Sequence, residues 1–405
     1  MATAPNSDPK YRLRDIPSGV WVLGFVSLLM DVSSEMIHAL LPIYLVTVLG
    51  TSMLTVGVIE GIAEATAAIT KIFSGALSDR LGRRKLLAVL GYGLAAFTKP
   101  VFPLAATVDW LVAARFIDRV GKGIRGAPRD ALVADISPAH LRGASFGLRQ
   151  SLDTVGAFLG PLMAIALMWA TAENFTTVFW IAVIPAFLSF GLIAFAVREP
   201  DRPAHLRHVH APLSRAELAR LGGMYWWIVG IAAVFTLARF SEAFLVLKAQ
   251  AVGVQLYLVP AVMVVMNVFY ALAAWPAGIL SDRVGRMPLL VTGLGLLIAA
   301  DVVLALSSGI WGVAAGVVLW GLHMGFSQGL LASLVADAAP AELRGTAFGI
   351  FNLVTGAALL AASIIAGALW DAAGPAGTFW AGAAFTALAL AGIGSIRHRL
   401  MSGRS

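Results

Sequence analysis

Ionisable side chains recur inside stretches of the chain that are otherwise apolar, and their spacing gives them chemistry. Asp31, Glu35 and His38 stand at i, i+4 and i+7, so in a helix all three project from one face. Two carboxylates one turn apart repel one another when both are charged. Away from water, that is the setting for reversible proton binding. The competing reading neutralises them for good with Arg115, Arg119 or Arg149. Glu60, Glu64 and Lys71 share a face of the next stretch. Glu64 and Lys71 are nearly two turns apart, too far to pair, which sends them to partners on other helices, as gating ion pairs or as cavity lining. Arg149 and Asp153 form an i, i+4 pair of opposite sign, read as a structural bridge. The later half adds Arg239, Glu242, Asp301 and His323, whose imidazole is the group that changes charge nearest physiological pH. The candidate proton-coupling and cavity residues are therefore Asp31, Glu35, His38, Glu64, Arg115, Asp118, Arg149, Asp153, Arg239, Glu242 and His323.

Other chemistries fit less well. Asp31, Glu35, His38 and His323 offer oxygen and imidazole ligands to a divalent transition metal as cargo. Against that, residues 110–134 carry Arg115, Arg119, Lys122, Arg125 and Arg129 against Asp118 and Asp130, which favours an anionic or zwitterionic solute over a bare cation. No resident metal or cofactor is expected. Cysteine is absent, which removes disulfides, thiolate ligands and thiol nucleophiles. No H-E-x-x-H, G-x-S-x-G or G-x-x-x-x-G-K-[ST] occurs, so a membrane-embedded enzyme, a receptor or direct ATP drive is the least favoured reading. Trp226, Trp227, Trp275, Trp311 and Trp320 read as interfacial or packing residues rather than a substrate cage.

The elements that must hold these charges are membrane helices. Of 405 residues 59% are hydrophobic and only 13% charged, half of what a soluble chain carries at about 25%. That excludes a soluble enzyme, a nucleic-acid module and a disordered scaffold. Apolar stretches of the length a bilayer needs, about 20 residues, fall at 18–48, 54–78, 86–106, 110–134, 143–170 and 176–197. A second set falls at 223–249, 255–280, 288–307, 310–336, 344–370 and 376–396. Between the sets, Arg198 to Leu221 is polar, with a short surface helix expected from Ser214. Most of the Lys and Arg outside the stretches lie on the side that also holds both termini, and the opposite loops carry none. This puts the termini in the cytoplasm. The first residues, Met1 to Pro17, are polar and basic and do not read as a signal peptide.

Two segments recur at almost the same offset. Gly75-Ala-Leu-Ser-Asp79-Arg80-Leu-Gly82-Arg83 returns as Gly278-Ile-Leu-Ser-Asp282-Arg283-Val-Gly285-Arg286. Ala134-Asp135, Leu141-Arg142-Gly143 and Phe146-Gly147 return as Ala336-Asp337, Leu343-Arg344-Gly345 and Phe348-Gly349. The pattern is a duplicated six-helix unit, with one bundle over 1–198, a cytoplasmic linker over 199–222 and a second bundle over 223–405.

These residues resemble the major facilitator superfamily over essentially the whole chain. The loop 2–3 motif G-x-L-a-D-r-x-G-r-k is present as Gly75, Leu77, Ser78, Asp79, Arg80, Gly82, Arg83 and Arg84. In the family this aspartate faces the start of helix 11, here near Leu343–Thr346, where unsatisfied N–H groups stabilise a carboxylate. Gly147, Gly156, Gly160 and Pro161 resemble the antiporter motif G-x8-G-x3-G-P-x2-G-G, departing from it at Ala164-Ile165. In the fourth stretch Leu111 and Arg115 match l-x-x-x-R-x-x-q-G, but Asp118 and Arg119 replace its Gln and Gly. The resemblance implies an all-α polytopic fold of twelve transmembrane helices in two six-helix pseudo-repeats, in the inner membrane. It further implies a monomer in the lipid bilayer with no nucleic-acid partner, moving a small solute by alternating access, with proton-coupled efflux favoured over import or divalent-metal export.

Overall fold

The computed structural model describes residues 15–199, 221–340 and 343–402. Lys10, Arg12, Arg14, the linker with its expected helix at Ser214, and Arg404 lie outside them. The described residues are helical, with no strand among them. The helices are α1 Ser18–Thr47, α2 Met53–Leu81, α3 Arg84–Thr98, α4 Val101–Leu104, α5 Val108–Ile136, α6 Arg142–Ala170 and α7 Phe175–Gly191. They continue as α8 Gly223–Ala238, α9 Ala243–Ala251, α10 Ala261–Val284, α11 Arg286–Leu306, α12 Ile310–Ala338 and α13 Arg344–Ser402. Turn chemistry sets several boundaries. Ser52 and Asn174 accept hydrogen bonds from the N–H of Thr55 and Thr177, capping α2 and α7. Gly82 ends α2 in the left-handed region at φ 62°.

Ten helical stretches are long and apolar enough to cross a bilayer, where the sequence pattern predicts twelve. The difference has two causes. Val108–Ile136 carries too many charges to qualify, and the last two stretches run together in α13, interrupted at Gly374 (φ 74°, ψ −179°). A third expected stretch is broken rather than continuous: α8 stops at Ala238 and α9 starts at Ala243, with Arg239–Glu242 between them. Polar side chains and freed backbone groups fall together at that break, as in transporter helices interrupted beside a cavity.

α1 packs on α6 and α7, and α5 packs on α2 and α3; in the later part α12 packs on α10 and α11, and α13 on α8 and α11. Contact between these two groups runs mainly through α2 on α13, with α6 on α10 and α1 on α9. The α2–α13 seam is made close by small residues. A Cβ on Gly57 would strike the Ser363 carbonyl, one on Gly61 would stand 3.0 Å from the Leu360 carbonyl oxygen, and one on Gly367 would strike that of Met53.

At the end of this seam away from the chain termini, Asp371 of α13 accepts hydrogen bonds from the N–H of Met53 (3.0 Å) and Leu54 (2.9 Å). These are the first N–H groups of α2, which no turn of the helix can satisfy. A carboxylate there is stabilised by the helix dipole as well, so this latch between the two groups contributes about 1–2 kcal/mol. The chain has no cysteine, so spin labels at Val48→Cys and Ala373→Cys report that face without background. Adding Asp371→Ala is expected to populate longer label separations; an unchanged distribution would show that the latch does not hold the face shut.

Candidate functional site

A cavity of about 700 Å³ lies between the two groups of helices. One wall is charged. It presents Asp31, Glu35 and His38 from α1, Glu64 and Lys71 from α2, Arg119, Lys122, Arg125 and Arg129 from α5, and Asp153 from α6. The facing wall carries Phe240, Met263, Trp320, Leu331, Phe351 and Leu359, interrupted by Thr236, Ser241, Asn267, Asn352 and Thr355. Arg239 and Glu242, at the α8–α9 break, are the ionisable groups of that wall.

Behind the charged wall is a hydrogen-bonded network. Arg115 donates to Glu60 at 2.8 Å with both side chains fully buried. His38 lies between two carboxylates, its Nδ1 3.3 Å from Glu35 and its Nε2 3.5 Å from Glu60. Arg119 sits between Glu64 (3.3 Å) and Asp118 (3.6 Å), and Asp118 accepts from Lys99 at 3.0 Å. Lys99 also donates to Ser34 of α1 at 3.0 Å. The network ties α1, α2 and α5 to the α3–α4 junction. Removing one partner of such a pair leaves a bare charge in a dry interior, a cost of about 3–5 kcal/mol.

A second cluster joins α5 to α6. Asp153 is 3.1 Å from Arg149 and 3.5 Å from Arg129, and Asp130 is 3.1 Å from Arg129 and 3.8 Å from Arg149. Arg129 also donates to Ser27 of α1 at 2.9 Å. Asp31 is set apart from these pairs. Its carboxyl faces that of Asp153 within hydrogen-bonding reach, and among the described residues no cation stands within ion-pair distance of it. Two carboxyl groups in that relation form a hydrogen bond only when one proton is shared between them.

Asp31, Glu35, His38, Glu64, Asp153, Arg239 and Glu242 all line the cavity, but four other residues assigned to it from sequence do not. Arg115 and Asp118 point behind the wall, held by the buried partners Glu60 and Lys99, and Arg149 is held beside the wall by Asp153 and Asp130. His323 of α12 is fully buried between Phe235 and Trp320, its Nδ1 3.0 Å from the Gly293 carbonyl oxygen. It does not join Asp31, Glu35 and His38, and among the described residues no group of three His, Asp or Glu is placed to hold a metal ion. Trp226, Trp227 and Trp311 are exposed on the outer surface, whereas Trp320 is buried and belongs to the cavity wall rather than to packing alone. Asp301 is buried beside Gly382 and Phe240, and among the described residues neither of its oxygens has a partner.

The antiporter-like glycines divide by position. A Cβ on Gly156 would stand 2.6 Å from the Leu28 carbonyl oxygen and 3.0 Å from the Asp31 Cβ, and one on Gly160 would stand 2.7 Å from the Glu35 Cβ. These two glycines, with buried Pro161, bring α6 against the acidic face of α1. Gly147 meets nothing. In the loop motif, a Cβ on Gly75 would stand 3.4 Å from the Ala127 Cβ, Gly82 makes the left-handed turn and Arg83 is exposed. Arg84 pairs with Asp135 at 2.7 Å, joining one repeated segment to the other. The side chains of Asp79, Arg80, Asp282 and Arg283 lie outside the described residues. Glu60, read from sequence as a gating or cavity residue, sits in the network instead, and Lys99 escapes the sequence reading; an isolated lysine in the apolar run Ala95–Leu104 was the available signal.

A charged cavity enclosed between two groups of membrane helices defines a membrane transport protein. The Major Facilitator Superfamily model matches residues 23–356 and 243–397, and the chain belongs to that superfamily. It is 33% identical over 365 residues to an uncharacterized MFS-type transporter of Methanocaldococcus jannaschii, covering 88% of this chain and 89% of that one. An uncharacterized protein of Mycobacterium tuberculosis is 29% identical over 357 residues, covering 87% of this chain and 86% of its own. In fold the chain is similar to a crystal structure of a mutant of the peptide transporter POT, with a TM-score of 0.77 at 17% identity over 96% of each chain.

The glycine contacts make a graded prediction. Gly156→Ala and Gly160→Ala are expected to lower the melting temperature of the purified protein by several degrees, because a Cβ there meets backbone or a Cβ that cannot swing away. Gly147→Ala is expected to leave it unchanged; equal effects at all three sites in a thermal unfolding assay would defeat the α1–α6 contact as the cause.

Proposed function

We propose that the protein is a secondary active transporter that exports a small solute across the cytoplasmic membrane in exchange for protons. The observation that carries this reading is Asp31, a cavity carboxyl without a cationic partner among the described residues, facing Asp153 at the α1–α6 contact. One proton between the two turns a repulsion into a hydrogen bond across the two helices. Proton occupancy is thereby coupled to how tightly α1 and α6 close, and solute binding in the same cavity shifts the same equilibrium. Glu35, His38 and Glu64, already paired, set the field in which this happens.

In this reading Val108–Ile136 is a span despite its charges, shielded by α2 and α3, and the two arms of α13 are separate spans, giving twelve. The bundles occupy 1–198 and 223–405, the segment 199–222 links them, and both termini are cytoplasmic. The protein acts as a monomer. Gly156, Gly160 and Pro161 support efflux over uptake through their likeness to the antiporter motif. Divalent-metal export is less well supported because His323 does not line the cavity with Asp31, Glu35 and His38.

An expressing strain screened against drugs, metals and organic anions for altered tolerance identifies a working solute. In everted vesicles, efflux against protons then appears as solute uptake into the lumen, reported together with proton release by a pH-sensitive dye. Asp31→Asn is expected to abolish proton-coupled accumulation while leaving solute exchange intact, and Glu35→Gln to reduce it. Full coupling in both variants would remove these carboxylates from the carrier role.

A further inference from the structure

The charged groups of the cavity do not cancel. Glu35, Glu64 and Asp153 are each engaged by His38, Arg119, or Arg129 with Arg149, which leaves Asp31 and Glu242 as the unpaired carboxylates among the described residues. Four cations lining the same space have no carboxylate within ion-pair distance among the described residues: Lys71, Lys122, Arg125 and Arg239. Two of them are built into place. Arg125 is 4% exposed, its guanidinium lies 4.8 Å from the Tyr92 ring centroid, and its Nη1 has no hydrogen-bond partner. Arg239, on the opposite wall, stands 5.8 Å from the Phe235 ring centroid with its Nε unpartnered. Stacking on an aromatic ring fixes a guanidinium in direction without using its donors, which stay available to a ligand.

We infer that the transported solute is an amphipathic organic anion, its carboxylate or phosphate held between Arg125 with Lys122 on one wall and Arg239 on the other, and its apolar body against Trp320 and Phe240. This inference rests on the transport reading above and names the substrate class of that site. The cations without an ion-pair contact outnumber the carboxylates without one, so an anion gains partners in the cavity that a cation would not find. The buried donors of Arg125 and Arg239 are costly while unmade and gain most from a charged acceptor. A small inorganic anion would satisfy them but leave most of about 700 Å³ and the apolar wall unused, whereas a neutral sugar would meet the uncharged groups Thr236, Ser241, Asn267, Asn352 and Thr355 and leave the cationic donors unmade. Because the two cationic clusters sit on opposite groups of helices, an anion bridging them also draws the two walls together, which is what a solute that drives alternating access must do.

The test measures binding, with no gradient, by calorimetry on the full-length protein in detergent. The probes share one apolar body: 2-naphthoate, its neutral amide 2-naphthamide, and the cation 2-naphthylmethylammonium, with sulfate as the small anion. Naphthoate is expected to bind more tightly than the other three. Arg239→Gln and Lys122→Gln are each expected to weaken it by about 10- to 100-fold, and Trp320→Ala to weaken naphthoate while leaving sulfate unchanged. Should Arg125→Gln fail to fold, Arg125→Lys, which keeps the charge, is expected to retain part of the affinity. Equal or tighter binding of the amide or the ammonium probe would overturn the inference, as would naphthoate binding indifferent to both Gln variants. The two proposals separate cleanly. Naphthoate bound but never coupled to proton movement sinks the transport reading and leaves the anion site. Proton-coupled export of a cationic or neutral solute, without anion binding, does the reverse.

Discussion

The contact between Arg115 of α5 and Glu60 of α2, 2.8 Å across a dry interior, is what allows the rest of the molecule to exist. α5 carries Arg115, Asp118, Arg119, Lys122, Arg125, Arg129 and Asp130. At the centre of a bilayer each would cost about 2.5–3.5 kcal/mol even on the mildest scales. The helix is tolerated only because α2 offers Glu60 and Glu64, the α3–α4 junction offers Lys99, and α1 adds His38 and Ser34. The close approach this demands is visible in the backbone. Gly91, Gly121 and Gly123 hold α5 against α3 and α2 at separations where a side chain would strike main chain or Cβ atoms.

From this follows the asymmetry of the cavity. A helix that must be wrapped on several sides by charged partners leaves one face uncovered, and that face becomes the wall with Arg119, Lys122, Arg125 and Arg129. The second group of helices has no such burden. Its apolar faces close directly, as in the ring contacts of Phe240 with Trp320, Phe244 and Phe379, and they bring aromatic surface to the opposite wall. The ionisable groups concentrate on one wall, and the quieter wall supplies shape and apolar area.

How much of this could be read from the chain depends on whether the information is local. The shared face of Asp31, Glu35 and His38 follows from helical periodicity, and all three line the cavity. The pair Arg149–Asp153 follows from the i, i+4 rule. Depth and helical type are likewise legible in hydropathy. Facing is not: Arg115 and Lys122 differ by two turns on one helix, and only the position of α2 decides that one is sealed and the other open. His323 shows the same limit, since its depth was readable while its rotation toward the Gly293 carbonyl was not. The break at Arg239–Glu242 announced itself as charge, but hydropathy averaged over a window passes through four polar or aromatic positions without registering a lost turn.

The α2–α13 pair gathers these strands into one device. The two helices form the main seam between the groups, and glycines keep them close enough to behave as one unit. Asp371, near the end of the first arm of α13, takes the first N–H groups of α2. By resemblance to the family motif, Asp79, near the end of α2, addresses the start of α13 at the other face. The resemblance thus implies a second acidic cap, from the Asp79 position to the start of α13, at the opposite end of the antiparallel pair from Asp371. A tilt that tightens one end of a close-packed seam opens the other, so the two caps oppose each other mechanically. Neither cap needs to be strong. With a cap worth about 1–2 kcal/mol, the balance between faces can be tipped by the differential binding of a single solute, which is the condition for a carrier that turns over rather than locking in either state.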